Sequence, residues 1–163
     1  MLHENESEKD FLDKSNLLLL AEIEKNRQKE VLDKIKRVFC AYLDGKRINL
    51  FEDLKGLEVV IPYINTFTTK FSRRVIEWVI LNLTYGKTAS YSDIGKKINS
   101  KAYQAIGNIM RNNPFPLVIP CHRVVRKNGQ VGGFMGKVKD SWQIELKKSL
   151  LEMENRAIQK NKT

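Results

Sequence analysis

The sequence predicts an α+β chain that is mainly helical, and three observations carry that expectation. Two segments repeat apolar residues at helical period, a pair of short lysine-bearing helical segments flanks a tight turn, and the β-branched runs are brief and lie beside proline or glycine. At 163 residues, 42% hydrophobic and 29% charged, the chain is long enough for one domain with a core or for two small lobes. No apolar stretch approaches the roughly twenty residues that a membrane span needs. The start, "MLHENESEKDFLDKS", is acidic and polar where a secretory signal would place a basic segment before an apolar one. The expected location is therefore intracellular: cytoplasmic, or nuclear in a eukaryote.

In chain order, "NLLLLAEIEKNRQKEV" reads either as helix throughout or as a short strand followed by one. Residues 31–43 place Val31, Leu32, Ile35, Val38, Phe39, Tyr42 and Leu43 on an amphipathic stripe, and Asp44-Gly45 stops the helix. Cys40 lies between those positions and is expected to be a small buried hydrophobe. "LKGLEVVIPYINTF" reads as a short strand or a connection between two lobes, with the boundary near residue 65. A second helix over 68–83 lines Phe71, Val75, Ile76, Val79, Ile80 and Leu83 on one face, with Trp78 packed. "TYGK" is a turn, and "SYSDIGKKI" opens a short helix with Ser90 three residues before Asp93, a capping box. "NS" breaks the chain before "KAYQAIGNIMRNN", whose packed side is Ala102, Ala105, Ile106, Ile109 and Met110; the pair is a helix-turn-helix candidate. After two prolines in "NNPFP", "LVI" is expected to be a short buried strand delivering Pro120 and Cys121 to its end. The expected organisation is a lobe over 1–65, a domain over 66–155 and a disordered tail over 156–163.

Charge narrows the class of partner. The net charge is +10, and from Lys87 to Lys139 ten basic residues, Lys101, Arg111 and Arg123 among them, face a single acid, Asp93. Such a local excess favours a polyanion such as nucleic acid. Two cysteines without a C-x-x-C pair, and Cys and His residues without zinc spacing, predict neither a structural disulfide nor a metal site.

"PCHRVV" carries the chemistry. A thiolate is the reactive form of cysteine and is favoured beside cations, which His122, Arg123 and Arg126 supply in sequence. His3 lies in the polar N-terminal segment, which leaves His122 as the general base. Neighbours on an extended strand point to opposite faces, so Cys121 and His122 need a bend at Pro120 or a bridging water to act together. Downstream, "NGQVGGFMG" is a glycine-rich loop suited to lining a pocket and lacks the ending of a phosphate cradle.

"YGKTASYSDIG", "AIGNIMRNNPFPLVIPCHRVVRKNGQVGGFMG" and "LKKSLLEME" together resemble the O6-alkylguanine-DNA alkyltransferases, the methylated-DNA–protein-cysteine methyltransferases, over residues 84–154. The resemblance implies a winged-helix-like C-terminal domain carrying the helix-turn-helix and the cysteine, preceded by a reduced N-terminal lobe. It implies that Cys121 takes the alkyl group from guanine O6 and keeps it as a thioether, once per molecule and without a cofactor. His122 would take the thiol proton, Glu154 would orient the histidine, Asn113 would brace the turn, and Tyr91 would donate toward the base. Ala102, Tyr103, Gln104, Ala105 and Gly107, with Lys101, Arg111 and Arg123, would meet DNA. Met110, Val131, Gly132, Phe134 and Met135 would wall the base pocket.

Two positions depart from the family pattern. Gln104 stands where an arginine fills the gap left by the flipped base, and Tyr103 beside it can share that role; flipping is expected to depend less on Gln104 than on that arginine. Met135 stands where a hydroxyl residue is frequent. The expected partner is double-stranded DNA containing O6-alkylguanine, with no membrane, and the protein is expected to be a monomer. The alternative is a non-transferring module that binds alkylated DNA, and the presence of Cys121 weighs against it.

Overall fold

The structure, a computed structural model, describes residues 6–137 and 141–160, with side chains from Leu19 onward. His3, Lys139 and residues 161–163 lie outside the described residues. The chain is mostly helical with few strands. In order it forms α1 (Glu6–Leu43), α2 (Leu50–Gly56), α3 (Tyr63–Thr66), α4 (Lys70–Asn82), β1 (Ala89–Ser90), α5 (Tyr91–Lys97) and α6 (Tyr103–Arg111). A 3-10 turn at Cys121–Arg123, β2 (Val124–Val125) and α7 (Trp142–Lys160) follow. Contacts gather the chain into two compact units, one ending at Arg37 and one starting at Val38. The expected lobe boundary near residue 65 falls inside the second.

From Glu6 on, the first unit is helix, which settles the reading of "NLLLLAEIEKNRQKEV" in favour of helix throughout. Pairs at i, i+4 support it, Gln28 to Glu24 at 3.2 Å and Lys34 to Glu30 at 2.7 Å. Leu19, Leu20, Ile23 and Leu32 are exposed.

In the second unit α1 ends in a Schellman arrangement. The Gly45 N–H donates to Tyr42 O at 3.0 Å and the Lys46 N–H to Ala41 O at 3.0 Å. Cys40 is exposed, against expectation. At 3.6 residues per turn it points roughly opposite the face shared by Val38, Phe39 and Tyr42, of which Tyr42 is fully buried. The segment expected to be a strand or connection is a connection broken by α2 and α3, and Pro62 caps α3, where its missing N–H costs nothing.

Helix α4 follows the predicted stripe. Thr69 Oγ1 accepts from the Ser72 N–H at 3.0 Å to open it, and Val75, Ile76, Val79 and Ile80 are buried. They join Ile94, Ile98, Ile106, Met110, Ile119 and Phe134 in one apolar cluster that also contains Cys121. Each such aliphatic side chain contributes about 1.5–3 kcal/mol on burial, so this cluster fixes the platform under the site.

Ser90 and Asp93 close the capping box of α5: Ser90 Oγ accepts from the Asp93 N–H and Asp93 Oδ2 accepts from the Ser90 N–H, each at 3.1 Å. Gly95 lets α6 come close. A Cβ there would sit 2.6 Å from Ser100 O and 2.6 Å from the Tyr103 ring. Asn99, at φ +52, turns the chain between the helices. Ala102, expected on the packed side of α6, is exposed because it caps the helix instead of entering it.

"LVI" is a turn instead of a strand. Pro116 bridges Ile119, Leu117 takes φ +71, and Ile119 alone of the three is fully buried. Pro114 and Pro116 remove the donors that a ladder would use, and the Asn113 side chain closes the turn in their place. Strands β1 and β2 pair in parallel, Ala89 with Val124 and Ser90 with Val125. Helix α7 extends through Lys160, so the segment expected to be disordered from residue 156 is helical up to there. Ile158 packs over Gly86, whose added Cβ would meet the isoleucine at 1.8 Å.

Candidate active site

The 3-10 turn is the bend that Cys121 and His122 require. Pro120 precedes it, the Arg123 N–H donates to Pro120 O at 3.0 Å, and successive side chains then diverge by about 120° instead of alternating. Cys121 turns toward Asn113, whose Nδ2 donates to Sγ at 3.2 Å and to Ile119 O at 3.0 Å while its Oδ1 accepts from the Phe115 N–H at 3.0 Å. One amide thus holds both the turn and the sulfur. Burial pushes the Cys121 thiol up, and the Asn113 bond and the Lys147 charge offset part of that rise.

His122 is fully buried. Its Nε2 lies 3.1 Å from Glu154 Oε1 and 3.2 Å from the Tyr42 hydroxyl, which itself donates to Glu154 Oε1 at 2.6 Å. Because an ionised carboxylate only accepts, Nε2 carries the proton and Nδ1 the lone pair. Nδ1 is buried and bonds to no other described residue. Burial holds His122 below its ordinary pKa, so the ring is neutral and basic.

Glu154 is the hub. It accepts from Arg123 Nε at 3.0 and 3.1 Å, from Arg123 Nη2 at 2.6 Å, and from the Gly86 N–H at 2.9 Å. Gly86 adopts φ +73, the left-handed turn that aims this N–H inward. Burial alone would raise the Glu154 carboxyl; the bonds from His122 and Arg123 outweigh it and hold the pKa at about 2.

Arg123 does not serve the expected DNA contact. It is 4% exposed, spends its guanidinium on Glu154 and on Leu83 O at 2.7 Å, and faces the Tyr85 ring at 5.8 Å. It is also unavailable as the cation beside the thiol. The cation whose charge acts on the thiol is Lys147, fully buried on α7, whose Nζ donates to Val124 O at 2.6 Å and Gly133 O at 3.3 Å.

Tyr91, Gly107, Met110, Arg111, Gly133, Phe134, Gly136 and Lys137 line a cavity of about 170 Å³. Val131 is half-buried against the apolar cluster, and Gly132 is buried behind the Tyr91 hydroxyl, where a Cβ would approach to 3.3 Å. Met135 is 42% exposed at φ +45 in the tight Phe134–Lys137 turn. Burial pushes the Tyr91 hydroxyl up, and a charge on Cys121 pushes it further, so the tyrosine keeps its proton. Lys101, Tyr103, Gln104 and Arg111 are exposed along α6 and its approach, with Ala105 and Gly107 half-buried between them. A larger cavity of about 630 Å³, lined by Leu43, Arg47, Met153 and Ala157, contains none of the site residues.

Sequence reasoning did not place Tyr42 or Lys147 in the site. Their signal is a polar group on an apolar stripe: Lys147 and Glu154 fall on the α7 face shared with Ile144 and Leu150, and Tyr42 on that of Val38 and Phe39.

The family model described as the 6-O-methylguanine DNA methyltransferase DNA-binding domain matches residues 70–156. The chain is 39% identical over 126 residues to the methylated-DNA–protein-cysteine methyltransferase of Methanothermobacter thermautotrophicus, covering 77% of this chain and 60% of that protein. It is 39% identical over 113 residues to that of Archaeoglobus fulgidus, covering 69% and 68%. The solved O6-methylguanine-DNA methyltransferase of Pyrococcus kodakaraensis superposes with a TM-score of 0.51 at 26% identity, covering 80% of this chain and 78% of that one. The chain spans 60% and 64% of the length of two archaeal relatives, those of Methanothermobacter thermautotrophicus and Methanocaldococcus jannaschii.

Proposed function

The chain belongs to the 6-O-methylguanine DNA methyltransferase family, and from that premise we propose that it repairs DNA by moving the alkyl group of O6-alkylguanine onto Cys121, once per molecule. One observation carries the reading: the single buried cysteine among the described residues is bonded by Asn113 and followed in the chain by a neutral histidine whose Nε2 is fixed by Glu154.

His122 Nδ1 accepts the thiol proton through one water. The sulfur then attacks the carbon on O6 in line; the S–C bond forms as the C–O bond breaks, and the electron pair passes to the guanine oxygen. Tyr91 keeps its proton and donates toward the base. The product thioether has no easy reverse step, so the protein is consumed with the lesion and needs no cofactor.

A base alkylated at O6 is reached by extrusion from the stack, at a few kcal/mol that weakened pairing partly offsets. The pair α5 and α6 serves as a helix-turn-helix in a winged-helix-like domain, with Lys101, Tyr103, Gln104 and Arg111 toward the duplex and the small Ala102, Ala105 and Gly107 allowing close approach. Without an arginine at position 104, Tyr103 and Gln104 together fill the vacated space. The functional unit is a monomer on double-stranded DNA.

The test follows the DNA. A duplex with one O6-methylguanine is incubated with substoichiometric protein, digested to nucleosides and separated. Guanine should replace O6-methylguanine one for one with protein and then stop. Continued turnover, or binding with the lesion intact, would contradict the proposal.

A further inference from the structure

The interior around the site does not balance its charges. Among the described residues the buried charged side chains are Arg123, Lys147 and Glu154, and His122 beside them is neutral. Glu154 pairs with Arg123. Lys147 is left with two carbonyl oxygens, and no carboxylate of the described residues pairs with it. A buried ammonium held only by dipoles is costly, and the cost falls when an anion appears nearby.

The two carbonyls say which anion. Val124 lies three residues beyond Cys121 on the same turn and strand, and Gly133 precedes Phe134, over whose ring Nζ sits at 5.8 Å. Lys147 therefore ties the nucleophile's backbone to the wall of the cavity. Asn113 Nδ2 bonds the Cys121 sulfur, His122 adjoins it in the chain, and charge couples the sulfur to the Tyr91 hydroxyl on α5 and to Lys147 on α7. Of these Lys147 alone is a cation.

We propose that Lys147 is a positioning residue for Cys121: it is the counter-charge of the thiolate, placed by its bonds to Val124 and Gly133 to offset the negative charge that the sulfur takes up on losing its proton. This rests on Cys121 being the nucleophile of the proposed reaction. The lysine's own pKa is lowered by burial to about 8 and raised by the charge on Cys121, and the thiol is eased in turn by Lys147. The two groups thus form a coupled pair.

The test needs neither DNA nor lesion, so its failure is separable from failure of the repair reading. In a Cys40→Ser background, iodoacetamide reacts with Cys121 alone, its S–C bond forming as iodide leaves, and intact mass gives the rate across pH. Lys147→Met, which keeps length and removes charge, should move the profile up by at least about one pH unit, a roughly tenfold slower reaction at neutral pH. Lys147→Arg should restore most of it. A folded Lys147→Met protein with an unmoved profile would overturn the proposal and leave the lysine a structural clamp. A second measurement covers a methionine variant that does not fold. With carbon-13-labelled lysine, Lys147 is titrated in the Cys40→Ser protein and in the same protein carrying Cys121→Ser. The ammonium should hold its proton to higher pH when the thiol is present, and identical titrations would overturn the proposal.

Discussion

Glu154 is the residue on which the buried polar groups depend, because Arg123, His122, Tyr42 and the Gly86 N–H all converge on it. Replacing it with Gln leaves Arg123 buried without a counter-charge, and the expected loss is about 3–5 kcal/mol, read as a lower urea midpoint at constant slope. The same residues set the acid limb of stability. Glu154 sits at about 2 instead of 4.5, so the unfolded chain takes its proton first, and the stability it confers is complete above 4.5 and lost as pH falls toward 2. His122 is lowered from 6.5 by burial, and the same sign holds: stability declines as pH drops below 6.5. Midpoints measured from pH 8 to 3 should fall monotonically below 6.5; a rise on acidification through 6.5 would contradict a neutral buried histidine. For chemistry, His122→Phe should slow alkyl transfer by about 10²–10⁴ while DNA affinity changes little. Equal losses in both would make the ring structural.

At the scale of elements, the contact between α5 and α6 turns on one missing methyl. Gly95→Ala would press its Cβ into Ser100 O and Tyr103, and since Ser100 O is backbone the turn itself must shift. A cost of about 1–3 kcal/mol is expected by thermal unfolding. DNA affinity should drop further than stability explains, because Tyr103 and Gln104 move with the turn. The sequence revealed those elements whose signals are local: the α4 stripe, the Ser90–Asp93 capping box and the stop at Asp44-Gly45. Where backbone bonds are settled by a distant group or a side chain, reading by period misled. "LVI" looks like a strand but bends, because Asn113 supplies the bonds that Pro114 and Pro116 deny it. Cys40 sits among apolar neighbours in sequence yet faces outward, since a stripe covers one side of a helix only.

At the scale of the molecule, the charge excess between Lys87 and Lys139 divides into two uses that sequence cannot separate. Lys101, Arg111 and Lys137 are exposed and face outward, whereas Arg123 is consumed inside. Only the fold shows this, because it brings α7 across the Cys121 turn and so sets Glu154 against Arg123. The family resemblance points to Cys121, His122, Glu154 and Asn113, whereas the fold alone brings Tyr42 to His122 and Lys147 to Val124. One measurement tests the central claim most directly. The protein is incubated with a duplex bearing O6-methylguanine, digested with a protease and analysed by peptide mass. A methyl group on the peptide containing Cys121, stoichiometric with the lesion and absent from the peptide containing Cys40, is the predicted result; an unmodified Cys121 after the duplex has been bound, or a methyl group on another residue, would contradict it.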